Sequence, residues 1–283
     1  MQAPQHARLI IFGILAVLLG VNILVYSAVF SPNTLMVAVL DVGQGDAILV
    51  RGPTGVTMLV DSGPDRGVLR ELGAVLPFGD RTIDAVIATH TDKDHIGGLP
   101  DVFQTYEVAY FFEPGVINDS TPTKALMAAV GEEAGLTHLL ARRGTRFDLG
   151  GGAHADILFP DRDVSKVEIN DASIVMKITY GATSFLLTGD LASKTEEWLV
   201  TLDGAYLDSD VLKVGHHGSK TSTSDTFLEA VTPAVAAISV GAKNSYGHPT
   251  PDVLARLTAR DAEIKRTDLS GRLVFFSDGV TIR

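Results

Sequence analysis

An unbroken apolar run opens the chain. Residues 9–30 form a 22-residue stretch without a formal charge, in which Asn22 is the only strongly polar member. That length is enough to cross a bilayer as a helix. Ser31-Pro32-Asn33 interrupts it, and the pattern then changes to short β-branched runs separated by turn signals. Residues 35–40, 47–51 and 56–60 read as strands, with Gly52-Pro53-Thr54-Gly55 turning the chain between the last two. Residues 66–75 and 99–106 carry helical patterns; 83–88 and 108–112 are apolar enough for buried strands. A helix follows over 122–134, with proline near its first turn. Further strands are predicted at 157–159, 173–179, 183–187, 211–214 and 235–240, and helices at 193–202 and from near Ser224 and Pro251. The single Trp198 is expected to pack in the core or against a helix. Residues 273–276 and 280–282 close the chain as a hairpin. Strand blocks alternating with helices predict a layered α/β or α+β architecture, but periodicity does not select its topology.

Charge changes this picture in two ways. Arg8 is the only charged residue before Asp41, so a chain of formal charge −11 leaves −12 on the remainder. An acidic domain lacks the basic footprint of a non-specific duplex binder, although bound metal can supply positive charge to a phosphodiester locally. The same Arg8, with His6 and the amino terminus, precedes the apolar run, and no Lys or Arg follows until Arg51. The positive-inside rule then places the amino terminus in the cytoplasm and the rest of the chain outside. A cleaved signal peptide would have an apolar region of roughly 7–15 residues ending in an A-x-A-like site. Val25-Tyr26-Ser27 fits that only loosely, so an uncleaved anchor over residues 1–31 and one domain over 32–283 are expected. Cysteine is absent, which excludes disulfides and thiolate metal sites.

The densest chemistry lies in Thr89-His90-Thr91-Asp92-Lys93-Asp94-His95-Ile96-Gly97-Gly98. Two imidazoles and two carboxylates within six residues at a strand end are ligands of the kind that bind Zn²⁺ or Mn²⁺. On an extended chain His90 and Asp92 point the same way and suit one ion, while Asp94 and His95, at the turn into a helix, face a second. Four more segments follow the same logic of polar residues after apolar strands. They are Asp41-Val42-Gly43-Gln44-Gly45-Asp46, Thr188-Gly189-Asp190, Lys213 through Ser219 with the pair His216-His217, and Asn244-Ser245-Tyr246-Gly247-His248-Pro249. Adjacent side chains on extended backbone diverge, so His216 and His217 are not expected to ligate one ion.

In this order the segments resemble the metallo-β-lactamase superfamily, and within it the hydrolase domain of the ComEC-like competence branch with its stand-alone relatives. The likeness covers residues 35–283, nearly everything after the apolar run. It implies an αββα sandwich with a metal centre on loops at one edge and two divalent ions, Zn or Mn. His90, Asp92, Asp94, His95, Asp190 and His217 would be the ligands, with Asp190 bridging the ions and His217 on the second. Asp94, Asp190, His216 and His248 would carry catalysis. His216 would then touch substrate or support a ligand, and His248 would contact a substrate phosphate or act as an acid. Asp46, Asp61, Asn170, Ser173, Ser219, Asn244 and Tyr246 would contact substrate or orient ligands, and Asp61 would accept an N–H from His90 or His95. The superfamily's third motif normally supplies a His to the first metal. Here Asn170-Asp171-Ala172-Ser173 stands in its place, and neither His138 nor His154 is positioned like it. The first ion would keep only His90, Asp92 and Asp190.

The expected function is a membrane-anchored, metal-dependent hydrolase that uses a metal-bound hydroxide on a phosphodiester, such as a short nucleic acid or nucleotide. The likeness does not reach the multi-helix channel region of ComEC, so DNA uptake by this chain alone is not implied. Two other classes fit the residues. One is a hydrolase of the same fold acting on cell-envelope or small-molecule esters or lactams; the other is a non-enzymatic binding domain on a membrane anchor. No protein partner can be read from the sequence.

Overall fold

Alternation within the short apolar runs has a direct structural consequence. The computed structural model describes residues 5–29 and 33–283. In the strand β1 (Leu35–Val39), Leu35, Val37 and Val39 fall in one hydrophobic cluster while Met36 and Ala38 fall in another. Both faces of the strand are covered, as the period of two and the lack of polar positions require.

Two seven-stranded sheets result. One runs in the order β14 (Leu273–Ser277), β1, β2 (Ile48–Arg51), β3 (Thr57–Val60), β4 (Thr82–Ile87), β5 (Glu107–Glu113), β6 (Thr137–Leu140). The other runs β13 (Glu263–Arg266), β12 (Val235–Ile238), β11 (Val211–Lys213), β10 (Thr183–Leu187), β9 (Val175–Tyr180), β8 (Ala153–Phe159), β7 (Arg146–Gly150). Val37, Met58, Ile87, Ile157, Met176, Phe185 and Phe275 fill the space between the sheets. Leu72, Leu99, Val102 and Leu126, from the helices Gly67–Val75, Leu99–Thr105 and Thr121–Glu132, cover the outside of the first sheet. Leu199, Phe227, Leu228, Val253 and Leu257, from Ser193–Asp203, Asp225–Val231 and Pro251–Thr258, cover the outside of the second. The architecture is αββα.

Topology also places the site. Strands β3, β4, β5 and β6 run parallel to one another, as do β10, β11, β12 and β13. Parallel neighbours joined by crossovers end at the same edge, so the segments after β3, β4, β10, β11 and β12 leave one rim of the sandwich. The segment after β1 joins them, because two antiparallel pairings (β1 with β2, β2 with β3) make β1 parallel to β3.

Several expectations change. The strands β6, β7 and β13 lie at sheet edges, and their exposed or half-buried polar residues hide them from a search for apolar runs. The strand expected from Ser173 begins only at Val175. Trp198 is not a core residue: it is 39% exposed, its Nε1–H donates to Asp161 Oδ2 at 3.0 Å, and the Arg162 guanidinium lies 4.9 Å from its ring. The closing hairpin is reduced to a bridge between Ser277 and Ile282. The amino-terminal apolar run forms the helix Gln5–Val29, while Phe30, Ser31 and Pro32 lie outside the described residues. Among the described residues no helix is long and apolar enough to cross a membrane, so the expected span at residues 9–30 is without support from the structure.

Candidate metal centre

Tight backbone contacts between loops build the rim. A Cβ on Gly45, whose φ is +132°, would overlap the carbonyl oxygen of Asp94. Only glycine permits this approach, and it brings the Asp46 N–H to within 3.2 Å of that carbonyl. The Ser239 hydroxyl, at the end of β12, donates to the carbonyl of Gly45 at 2.7 Å, and the Gly241 N–H donates to Gln44 Oε1 at 3.2 Å. The first loop is thereby clamped between the other two.

Asp190 is the focus of the rim. Its Oδ2 lies 3.4 Å from His95 Nε2, 3.5 Å from His217 Nε2, 3.7 Å from His216 Nε2 and 4.0 Å from His90 Nε2. Asp92 Oδ2 is 3.8 Å from His90 Nε2, and Asp94 Oδ2 is 3.3 Å from His217 Nε2. Ligand atoms of His90, His95 and Asp190 lie within 4.8 Å of one another, as do those of Asp94, His95 and His217. The structure therefore brings together all six residues expected as ligands.

The far nitrogens of these rings are all held. Asp61 accepts from the Thr89 N–H at 2.7 Å, the Thr89 hydroxyl at 2.6 Å and His95 Nδ1 at 2.8 Å. With the Thr89 proton given to Asp61, its oxygen accepts from His90 Nδ1 at 3.0 Å. His217 Nδ1 donates to the carbonyl of Ser239 at 2.9 Å. With Nδ1 as the donor in each ring, Nε2 presents a lone pair toward the centre. Yet Nε2 of His90, His95 and His217, and Oδ1 of Asp190, are buried without a hydrogen-bond partner. Polar atoms orphaned together are costly unless something binds them. Three imidazole lone pairs around carboxylates are a donor set that fits divalent transition-metal ions.

Without metal the electrostatics of this cluster are strained. Burial alone would depress the His217 imidazole, but the Asp190 and Asp46 carboxylates outweigh it and raise its pKa to about 9. His95 is likewise raised well above the usual range by Asp190 and Asp61, against its burial. Burial and the neighbouring His95 lower His90 to about 3. Asp190, despite burial that favours its neutral form, is held well below the carboxylate range by His217 and His95. Groups with raised folded pKa values stabilise fully below their unfolded value of 6.5 and lose that contribution as pH rises through about 9. His90 is neutral in the folded protein throughout, and its unfolded form loses its proton around pH 6.5, so its opposing contribution is confined to the acid end of this window. The metal-free protein should therefore melt at progressively lower temperature from pH 6.5 to 9. Saturating divalent cation should reverse the slope, because ligation requires neutral imidazoles and releases their protons. Thermal melts with chelator and with metal test this; a metal-free melting temperature that climbs over that interval would refute it.

Other expected residues fall into distinct places. Ser173 Oγ lies 3.4 Å from His90 Nδ1 and accepts from the Asp190 N–H at 3.1 Å, so it positions two of the ligand residues. Asn170 begins the short turn Asn170–Ala172, where its carbonyl accepts from Ser173 N at 3.0 Å. Asp46 Oδ2 pairs with Lys213 Nζ at 2.7 Å, both side chains being about 1% exposed. Burial would raise Asp46, but Lys213 and His217 overcome it and keep the carboxyl far below its usual range. Asn244 and Ser219, expected to contact substrate or orient ligands, and Gln44 each brace a loop. Asn244 donates to the carbonyls of Gly241 and His248 and accepts from His248 N, closing its loop. Ser219 accepts from Thr221 N and faces the Thr221 hydroxyl. Gln44 holds Gly241. Tyr246 is exposed and stacks on His248, with ring centroids 5.7 Å apart, and His248 lies 5.7 Å from the His216 ring.

The backbone at His216-His217 departs from expectation. Both residues are left-handed, with φ of 48° and 54°, so the extended-chain argument that sends adjacent side chains apart does not apply. Both Nε2 atoms face Asp190. Thr89, Lys213 and Ser239 were missed as supports of the site. Lys213 carried a signal, a lone ammonium inside an otherwise apolar strand. Thr89 and the Ser239 carbonyl carried none beyond their neighbours.

Comparisons with known proteins agree with this geometry. The family model described as the metallo-beta-lactamase superfamily matches residues 40–242. Competence protein ComA of Neisseria gonorrhoeae is 35% identical over 248 residues, which are 86% of this chain and 32% of that protein. Recombination protein 2 of Haemophilus influenzae is 35% identical over 279 residues, 96% of this chain and 32% of that protein. This chain thus spans about a third of the length of the curated relatives it matches. The solved structure of a metal-dependent hydrolase of the beta-lactamase superfamily superposes with a TM-score of 0.54 at 13% identity, covering 85% of this chain and 98% of that one.

Proposed function

Because the chain belongs to the metallo-beta-lactamase superfamily, whose fold serves metal-dependent hydrolysis, we propose that it hydrolyses phosphodiesters at the Asp190 centre. The observation that carries this reading is the convergence of four imidazole nitrogens on one buried carboxylate oxygen, three of them, in His90, His95 and His217, buried without a hydrogen-bond partner. His90, Asp92 and Asp190 would hold one divalent ion, and Asp94, His95, His217 and Asp190 the other, with Asp190 shared. When bound, such a pair lowers the pKa of water and offsets negative charge at the reacting centre. Zn²⁺ and Mn²⁺ both suit a set this rich in carboxylate.

The chain's own groups supply orientation and proton control. Asp61, Thr89, Ser173 and the Ser239 carbonyl hold the Nδ1–H groups and so keep each ligand ring turned inward. His248 stands at the mouth with its Nδ1 buried and without a partner. Burial and the nearby His216 lower its pKa, which keeps it neutral at physiological pH and able to offer an N–H to a phosphoryl oxygen. Tyr246, stacked on it, offers a flat apolar face to a base or other ring.

The phosphodiester assignment draws on the relatives, named for competence and recombination, whose processes involve nucleic acid. A domain charge of −12 favours short single strands or nucleotide esters over long duplexes. Hydrolysis of bis-p-nitrophenyl phosphate and of nitrocefin should be compared with Mn²⁺ or Zn²⁺ added. Turnover of the phosphodiester is expected; efficient lactam cleavage without it would overturn the reading in favour of a lactamase-type hydrolase.

We place residues 1–31 at a membrane, with the catalytic domain on the extracytoplasmic side. This rests on the exposure of Leu9, Ile10, Phe12, Val17 and Leu19, each above 60%, along the helix Gln5–Val29, and on Arg8 preceding the apolar run. Such a surface is unfavourable in water. The full chain should stay in the membrane fraction after an alkaline wash, and its release would refute the placement.

A further inference from the structure

Two consecutive non-glycine residues in the left-handed region are unusual. His216 (φ 48°, ψ 45°) and His217 (φ 54°, ψ 20°) occupy it together. Strain of this kind persists where the surroundings impose it, often at functional sites. Its effect here is to turn two adjacent imidazoles inward with different bearings: the rings lie 6.2 Å apart and 76° from parallel. His217 goes toward Asp94, at 3.3 Å, and the interior Asp46. His216 goes to the other side. Its Nε2 lies 3.7 Å from Asp190 Oδ2, the carboxylate oxygen that His90 Nε2 also approaches, at 4.0 Å. Its Nδ1 sits 3.4 Å from the Thr221 hydroxyl, which leaves Nε2 free to face the centre.

The His90 side of the centre is the one short of ligands. Of the two histidines between His95 and Asp190, His138 lies on the edge strand β6, beside Glu113 at 3.4 Å and Phe111 at 5.1 Å. His154 lies on β8, beside Asp156 at 3.6 Å. Neither is at the rim. Ser173, in the segment that stands where a third ligand is expected, is occupied with His90 Nδ1 and the Asp190 backbone.

We infer that His216 Nε2 is a protein ligand of the ion held by His90, Asp92 and Asp190, taking the place of the absent third-motif histidine. The left-handed turn thus divides an adjacent pair between two ions, His217 to one and His216 to the other. That ion then has two imidazoles and two carboxylates, enough for residence in the free protein. This deepens the metal-dependent reading and rests on it.

The test is metal stoichiometry and affinity for Mn²⁺ on the full-length protein, with electron paramagnetic resonance to separate coupled from isolated ions. Wild type should bind two ions and show exchange coupling. His216→Ala and His216→Asn, the latter because asparagine tolerates the left-handed backbone, should retain one ion and show an isolated Mn²⁺ signal. Loss of a direct ligand should weaken the other ion by more than the roughly 10–100-fold that removal of an outer-shell partner costs. A thermal melt of each variant with chelator identifies any that fails to fold, and the other variant then carries the result. Two ions of unchanged affinity in a folded variant overturn this inference while leaving the metal-dependent reading intact. A folded wild-type protein that binds no divalent cation overturns both.

Discussion

Asp190→Ala should abolish phosphodiester turnover, by about 10³-fold or more, or about 4 kcal/mol of lost transition-state stabilisation. The same variant should fail to retain either ion. The reason is geometric: one oxygen, Oδ2, is within 4.0 Å of four imidazole Nε2 atoms, so one substitution removes a carboxylate common to both halves of the centre. Two cations held near each other also lose the shared anion that offsets their repulsion. Asp190→Asn, which keeps the size and loses the charge, should behave nearly as badly. His248→Ala makes the contrast, because the residue touches the rings of His216 and Tyr246 but no carboxylate of the centre. It should lower the rate with metal content unchanged. Elemental analysis beside kinetics gives the answer, and an Asp190→Ala protein that keeps two ions would remove Asp190 from its bridging role.

Lys213→Met should cause the largest loss of stability available at a single polar position. Lys213 Nζ lies 2.7 Å from Asp46 Oδ2 and 2.9 Å from the carbonyl of Val214, and both ionic side chains are almost fully buried. Breaking a buried pair from one side leaves an uncompensated charge in a low dielectric, at about 3–5 kcal/mol. For a domain of this size that corresponds to a fall in melting temperature of about 10 °C. The double variant Asp46→Asn with Lys213→Met should recover part of the loss, since no lone charge then stays buried. A Lys213→Met protein that melts like wild type would show that the pair contributes nothing. Asp46 also lies 3.3 Å from His217 Nδ1, so the single variant should weaken metal binding as well.

Strand positions were readable because a strand buried on both faces must be apolar throughout. That rule locates β1, β3, β4, β10 and β11 to within a residue or two. It fails for β6, β7 and β13, whose edge positions leave them half solvated and let polar residues such as Thr137, Arg146 and Lys265 into the run. The ligand cluster was legible for a related reason. His90, Asp92, Asp94 and His95 are neighbours in the chain, so their spacing already limits how far apart they can lie. Asp190 and His217 were assignable only through their likeness to a family.

Local pattern alone determined the strands of the core, the acidic charge and the clustering of metal-type ligands after β4. Tertiary structure decided everything that depends on residues far apart in sequence. It set the Lys213–Asp46 pair across 167 positions, the Asp61–Thr89–His90 relay and the clamp from Ser239 to Gly45. It also decided the bearing of His216, which the sequence places beside His217 on a segment expected to be extended. Two φ angles near +50° turn both rings toward Asp190 instead. Such angles are locally unfavourable for histidine, so no propensity announces them. The glycines on either side, Gly215 and Gly218, pack too closely against Ser222 and Pro249 to carry a Cβ without a shift, and the Ser222 hydroxyl donates to the Gly215 carbonyl, which fixes both ends of the turn.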